Sequence, residues 1–332
     1  MAEIGFALSE QFPAPELLEY GVAAERAGFN RIWAADHFHP WMDNQGHSTQ
    51  SWLMLAALGQ RTERLTIGTG VTCPTYRYSP QIVAQSFATL GLMYPGRVFL
   101  GLGTGEALNE QAVTGEWGEY QERHDRLVEA IALIRKLWTG EWVTHQGQFY
   151  QVQQAKMYDL PTQPVPIYIA ASGEQSMRMA GQYGDGLVTD EKSLLMPEMR
   201  AAFEDGAREA GKDPQRMPIL VEHFCVVGGQ AEATEAAKYW RFIPKAWDEF
   251  VTYPDPREIQ RTAEQTISDD EVTKNWVVSE DGQEHAQGIQ KLIDAGATQV
   301  FIHSGQLDQH RVIEFFGREV LPQLVGARSR AA

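Results

Sequence analysis

Short apolar runs, each closed by a turn signal, recur along this chain: Ile4–Ser9, Arg31–Phe38, Leu65–Val71, Phe99–Thr104, Ile167–Ser172, Gly186–Thr189, Ile219–Val227 and Gln299–Ser304. Most are continuously apolar rather than alternating, which predicts parallel strands buried on both faces. Between them lie patterns of helical period. Pro15–Ala27 carries Leu17, Leu18, Val22 and Ala23 and stops at Gly28, a residue suited to the left-handed turn that ends a helix. Ser51–Gln60, Pro80–Tyr94, Gln175–Tyr183, Leu195–Ala210, Gln283–Ala295 and Arg311–Leu324 follow the same logic. The longest, Arg123–Trp138, places Leu127, Ile131, Ile134 and Leu137 on one stripe.

Eight such strands alternating with helices predict an α/β chain folded as a (β/α)8 TIM barrel. A doubly wound sheet is the alternative. That fold would show a glycine-rich dinucleotide turn after the first strand, and Ser9-Glu10-Gln11-Phe12-Pro13 is not one. Two stretches break the rhythm. Glu141–Gln163 reads as a hairpin-like excursion before the fifth strand. Gly228–Val278 is too long for one crossover and holds Tyr239, Trp240, Phe242, Trp247, Phe250 and Tyr253, with two or more extra helices expected. The expectation is one barrel domain over 1–332, with an insertion at about 228–278 that covers the barrel mouth.

In such a barrel the site lies where the strands end. The runs deliver Ser9 and Glu10; Asp36, His37 and Trp41; Thr69 to Thr72; Gly101 to Glu110; Ser172-Gly173; Thr189 to Lys192; Glu222 and His223; and His303 to Gly305. So many polar and glycine positions at one end of every apolar run point to a small-molecule site. Taken alone, Asp36 reads as a cap and His37 as a surface histidine; the other strand ends make them a site wall. Gly103-Thr104-Gly105 and Ser172-Gly173-Glu174 are either tight turns or seats for an anion on free backbone N–H groups. Glu106 either favours a helix start through the dipole or holds a proton opposite His37.

Composition changes the picture only by exclusion. Among 332 residues the formal net charge is −16, which argues against nucleic acid or an anionic membrane as partner. Cys73 and Cys225 are too few and too far apart for a disulfide framework, as suits a reducing cytoplasm. The start, Met1-Ala2-Glu3-Ile4-Gly5, lacks a secretory pattern, and no apolar run is long enough to span a membrane. His37 and His39 are two apart with no ligand spacing around them, so no metal is expected.

Asp36-His37-Phe38-His39-Pro40-Trp41, Thr75-Tyr76-Arg77-Tyr78, Tyr94–Gly101 and above all Gly103-Thr104-Gly105-Glu106-Ala107-Leu108-Asn109-Glu110 resemble the F420-dependent glucose-6-phosphate dehydrogenase group of the luciferase-like superfamily. The resemblance runs from Glu3 to about Leu324 and is weakest over Gly228–Gln265. It implies a cytoplasmic homodimer that binds coenzyme F420, a deazaflavin, and moves a hydride between an alcohol carbon and C5 of that coenzyme. It implies Asp36 near the deazaflavin ring, and Gly70-Val71 as the bulge behind it, where the family has a non-proline cis peptide. Thr104, Gly105, Asn109, Ser172 and Gly173 match positions holding the coenzyme's phosphate and tail. His37 matches the base that takes the hydroxyl proton, and Glu106 the acid beside N1. Trp41 and Glu10 match the substrate side. Of the family's three phosphate-binding cations, Lys192 (with a gap) and Arg261 align to two, while Gln287 or Gln290 replaces the third. Glucose 6-phosphate is the leading single substrate; another sugar or a secondary alcohol is the alternative, as is an FMN-dependent monooxygenase of the same superfamily.

Overall fold

The computed structural model describes residues 2–326. Its strands are β1 Glu3–Leu8, β2 Arg31–Ala34, β3 Thr66–Thr69, β4 Val98–Leu102, β5 Val143–Gln146, β6 Gln151–Ala155, β7 Ile167–Ala170, β8 Gly186–Asp190, β9 Ile219–Val227, β10 Val277–Ser279 and β11 Gln299–His303. Eight of them (all but β5, β6 and β10) pair in parallel in the order β9-β11-β1-β2-β3-β4-β7-β8, and β8 returns to β9, closing the barrel. These are the eight predicted runs, shifted by a few residues at their ends. The helices run along the outside, and the largest core cluster lies between them and the strands.

Local chemistry accounts for the elements. The helix Ala14–Ala27 has a proline in its first turn and ends at Gly28 with φ 104°, whose N–H reaches the carbonyls of Ala24 and Glu25. The long helix runs Tyr120–Leu137 and buries Leu127, Ile131, Ile134 and Leu137. Inside the barrel, Trp33, Phe99, Tyr168 and Phe301 form an aromatic plug. Trp33 and Phe301 lie face to face at 4.2 Å. That contact needs Gly5, because a Cβ there would sit 2.4 Å from the Phe301 ring. The plug seals the barrel from below and leaves the C-terminal mouth open.

The two interruptions take distinct forms. Glu141–Gln163 contains the antiparallel hairpin β5–β6. Between β9 and β10 stand the helices Gln230–Ala237, Pro256–Thr266 and Asp269–Thr273, with short 3-10 turns between. The strand β10 falls at the end of the stretch read as insertion; it pairs Val277, Val278 and Ser279 with Cys225, Val226 and Val227. Of the single domain expected over 1–332, Met1 and residues 327–332 lie outside the described residues. Among the described residues no helix is long and apolar enough to cross a membrane.

Candidate active site

A cavity of about 960 Å³ opens at the strand ends, with Trp33, Val71, Ala170 and Val188 from the top of the aromatic plug as its floor. The volume is at the upper end of small-molecule sites and has room for two ligands side by side. Ten of the expected site residues line it: Glu10, His37, Trp41, Gly70, Val71, Thr104, Gly105, Glu106, Ser172 and Lys192.

β2 ends at Ala34, and the next residues leave the ladder as an extended loop. His37 reaches into the cavity with its Nδ1 3.1 Å from the His39 carbonyl oxygen. A proton on Nδ1 that donates to this carbonyl leaves the Nε2 lone pair facing Glu10 Oε1 at 3.8 Å. Glu10 is buried, and its Oε2 has no protein partner. A hydroxyl set between them has one proton to donate, which the Nε2 lone pair can accept while the Glu10 carboxylate lies beside it.

Asn109 fixes this arrangement. Its Oδ1 accepts from the backbone N–H of Phe38 at 2.7 Å and of His39 at 3.3 Å, which sets the orientation of the amide. The Nδ2 then donates to Glu106 Oε2 at 3.1 Å and lies 3.1 Å from His37 Nδ1. Asn109 is 1% exposed and is not on the cavity surface. Behind the lining, it bridges the loop that carries His37 to Glu106. Glu106 precedes the helix Ala107–Thr114 and presents its carboxyl to the cavity from that helix start.

Asp36, expected near the coenzyme ring, lies behind the cavity lining. Its side chain turns away from the cavity and is fully buried. Its Oδ2 accepts from Thr72 Oγ1 at 2.5 Å and Trp52 Nε1 at 3.1 Å, and its Oδ1 from the Tyr78 hydroxyl at 3.2 Å. The Arg77 guanidinium lies 3.5 Å from the carboxylate and donates to the Asp36 carbonyl at 2.7 Å. Burial, reinforced by Asp36, pushes the Tyr78 hydroxyl up to about 12, so it stays a donor. On its other side Arg77 faces Glu110 Oε1 at 3.8 Å, and Glu110 Oε2 accepts from the Arg77 backbone N–H at 2.7 Å. Asp36 therefore braces the loop beneath His37. In the extended chain two residues past the end of β2, Asp36 points to the opposite face from its neighbour, and His37 takes the cavity face.

The Gly70–Val71 peptide is cis, as the resemblance implied. Gly70 is required by packing, since a Cβ would stand 2.7 Å from Trp33. Gly103 has no room for a Cβ against Val71, and Gly105 takes φ +90°, where a side chain would press on Glu110. Gly173 precedes the helix Glu174–Tyr183, with its N–H on Ser176 Oγ at 3.1 Å, and lies outside the cavity lining, whereas Ser172 and Ser176 line it.

Arg123 was missed as a site residue. Its guanidinium lies over Trp117 at 4.0 Å, donates to the Gly105 carbonyl at 3.3 Å, and lines the cavity beside the glycine turn. A signal existed: Arg123 stands four residues before Leu127 on the buried stripe of its helix, and a cation on an apolar stripe asks for a reason. Arg261 is the opposite case. It sits on Pro256–Thr266 with a side chain 65% exposed, 3.7 Å from Glu258, and does not reach the cavity. Lys274 and Lys291 do reach it, along with Lys192. Gln287 and Gln290, expected in place of a third cation, do not line it; Gln290 hydrogen-bonds Asp294 at 2.7 Å.

The far wall is aromatic. Trp41 stacks on Phe242 at 4.7 Å and meets Trp247 edge-on at 5.7 Å. Trp240 packs on Phe242 at 5.7 Å, and its Nε1 donates to Gln11 Oε1 at 2.8 Å, which ties the insertion to the end of β1. Gln45 Nε2 donates to the Tyr239 carbonyl at 3.0 Å and ties it to the loop after β2.

Comparison with known proteins follows the same lines. Residues 2–299 match the family model described as luciferase-like monooxygenase. An F420-dependent hydroxymycolic acid dehydrogenase of Mycobacterium tuberculosis is 48% identical over 97% of this chain and 88% of that protein. An F420-dependent glucose-6-phosphate dehydrogenase of Microbacterium testaceum is 41% identical over 96% of each. A solved F420-dependent secondary alcohol dehydrogenase, in complex with an F420-acetone adduct, superimposes with a TM-score of 0.92 at 36% identity over 97% of this chain and 99% of that one.

Proposed function

The chain belongs to the luciferase-like family and is an F420-dependent dehydrogenase acting on an alcohol; we propose that its substrate is a secondary alcohol with a large apolar body. The residues present fit the coenzyme. Val71 offers an apolar floor, the turn has no space for a side chain at Gly103 or Gly105, and Arg123 sets a cation beside that turn for a phosphate. Bound there, F420 supplies a carbon that accepts a hydride. The chain's own part is to orient and to handle protons. His37 takes the hydroxyl proton at Nε2, the Glu10 carboxylate beside it favours the imidazolium that forms, and Glu106 presents a carboxyl for proton exchange on the coenzyme's side. Asn109 keeps His37 and Glu106 in fixed relation.

The aromatic wall of the insertion carries the substrate reading. Trp41, Trp240, Phe242, Trp247 and Trp276 offer a run of apolar faces longer than one sugar ring, which a long hydrocarbon covers more fully. Lys192, Lys274 and Lys291 favour the second reading, a phosphorylated sugar such as glucose 6-phosphate. Against it, Glu10, Glu106, Asp190, Glu191, Glu222 and Glu271 line the same cavity, so carboxylates outnumber the cations around any dianion. The test is loss of F420 absorbance with medium-chain secondary alcohols, free sugars and glucose 6-phosphate in parallel. The expected outcome is a kcat/KM for the alcohols at least about tenfold above that for glucose 6-phosphate. The reverse order would install the sugar phosphate.

A further inference from the structure

One pair of side chains on the cavity wall has no part in that scheme. His303, the last residue of β11, is 5% exposed and lines the cavity. Its Nδ1 lies 2.6 Å from Glu222 Oε1, on the neighbouring strand β9. Its Nε2 is buried with no protein partner. The ring is clamped: Phe224 stacks on it at 4.4 Å, and Trp240 meets it edge-on at 4.3 Å. It cannot turn to find a partner for Nε2 without losing Glu222.

The chemistry of this pair narrows what would occupy it. A carboxylate only accepts, so Glu222 keeps a proton on Nδ1. Nε2 then presents either a lone pair or a second N–H. A hydroxyl satisfies both states, because it donates to the first and accepts from the second. An anion would have to approach with Glu222 behind the ring, and like charges oppose that. The surroundings are apolar, so the hydroxyl must arrive on an apolar body. The wall is continuous from the reacting end: His37 faces Trp41 at 6.0 Å, Trp41 stacks on Phe242, and Phe242 packs on Trp240, which touches His303.

Resting on the dehydrogenase reading above, we propose that His303, held by Glu222, seats a second hydroxyl of the substrate. The preferred alcohol then carries a further hydroxyl at a fixed remove along its chain from the carbon that is oxidised.

The wild-type protein with F420 is offered a medium-chain alkan-2-ol and matched diols in which the second hydroxyl is moved outward one carbon at a time. One spacing is expected to lower KM about tenfold relative to the mono-ol, the effect of one gained hydrogen bond to a buried group. In His303→Phe, which keeps the stacked volume, the diol-to-mono-ol ratio falls to about one whatever the variant's absolute activity. In His303→Gln, which retains a polar amide, part of the ratio survives. A purely structural His303–Glu222 bridge would lower stability and leave the ratio unchanged, which overturns the proposal. Mono-ol and diol binding are also measured by calorimetry without coenzyme. Turnover of mono-ols with no diol preference at any spacing sinks the subsite and leaves the dehydrogenase reading intact. Tighter diol binding with no turnover of any alcohol sustains the subsite and sinks the reaction assigned to it. Equal binding and equal turnover at every spacing rejects the subsite outright.

Discussion

The two sides of the barrel mouth are built on different physics. On the side of β1 to β4, Asp36, Arg77, Glu110, Asn109 and His37 form a buried network of directional polar contacts, in which only Arg77 Nε and Glu110 Oε1 of the Arg77–Glu110 pair stand 3.8 Å apart without a closer partner. On the side of the insertion, Trp41, Phe242, Trp240 and Trp247 touch face to face and face to edge, with few polar constraints. Hydrogen bonds in a low-dielectric interior demand particular partners at particular angles, and a group left without one is costly. Aromatic packing demands only area and rough shape. The first side is suited to holding a reacting geometry, and the second to accommodating what is bound.

Four outcomes would break or sharpen this contrast. The largest is chemical: His37→Ala is expected to lower kcat about a thousandfold, roughly 4 kcal/mol in the barrier, with little change in unfolding by urea. A kcat within tenfold of the parent would remove His37 from proton transfer. Next, Asp36→Ala leaves the Arg77 guanidinium buried beside a partial partner and the Thr72 and Tyr78 hydroxyl donors unpaired, and should cost roughly 3–4 kcal/mol of stability in urea titration. A loss below 1 kcal/mol would mean that the polar side is no more demanding than the aromatic one.

The third is a pH effect. Burial pushes the Glu110 carboxyl from 4.5 to about 7, outweighing the Arg77 N–H and guanidinium that favour its ionised form. Between these values the folded chain holds a proton that the unfolded chain has released. Its contribution to stability is therefore full below pH 4.5 and is lost as pH rises through about 7, by roughly 3 kcal/mol at most. Glu110→Gln should flatten that part of the stability–pH curve, and an unchanged slope would reject the assignment. The smallest effect belongs to the aromatic side. Trp247, 54% exposed, contributes an edge contact to Trp41. Trp247→Ala should raise KM for an apolar alcohol about five- to tenfold, near 1 kcal/mol, and leave both kcat and urea stability almost unmoved.

The contrast also explains what could be read from the chain. All eight barrel strands were visible as apolar runs, but Arg31–Phe38 and Leu65–Val71 overshot β2 and β3. The apolar character continues past the ladder because the cavity wall needs it too. β10 was not visible, since three residues whose only ladder partner is β9 leave no pattern of their own. His37 and Glu106 were legible as polar groups at the ends of buried runs. The turning of Asp36 and Asn109 into the interior was not, because hydrogen bonds between β2, the Thr75–Tyr78 loop and the helix Ala107–Thr114 decide it. The position of Arg261 outside the cavity lining was hidden for another reason: within the insertion, sequence shows which helix face is apolar but not how that helix is rotated toward the barrel.

The strand β9 is nine residues long and outruns its neighbours, so its last three residues are left to pair with β10. The two feet of the insertion are thereby clamped side by side, on the outside of a barrel that closes without them. Lengthening a loop whose ends are already held together costs only about 0.6 kcal/mol of closure entropy per doubling. The segment from Gly228 to Trp276 is in this sense an exchangeable cassette. Insertion, deletion or wholesale replacement between Val227 and Val277 would leave every ladder of the closed barrel in place.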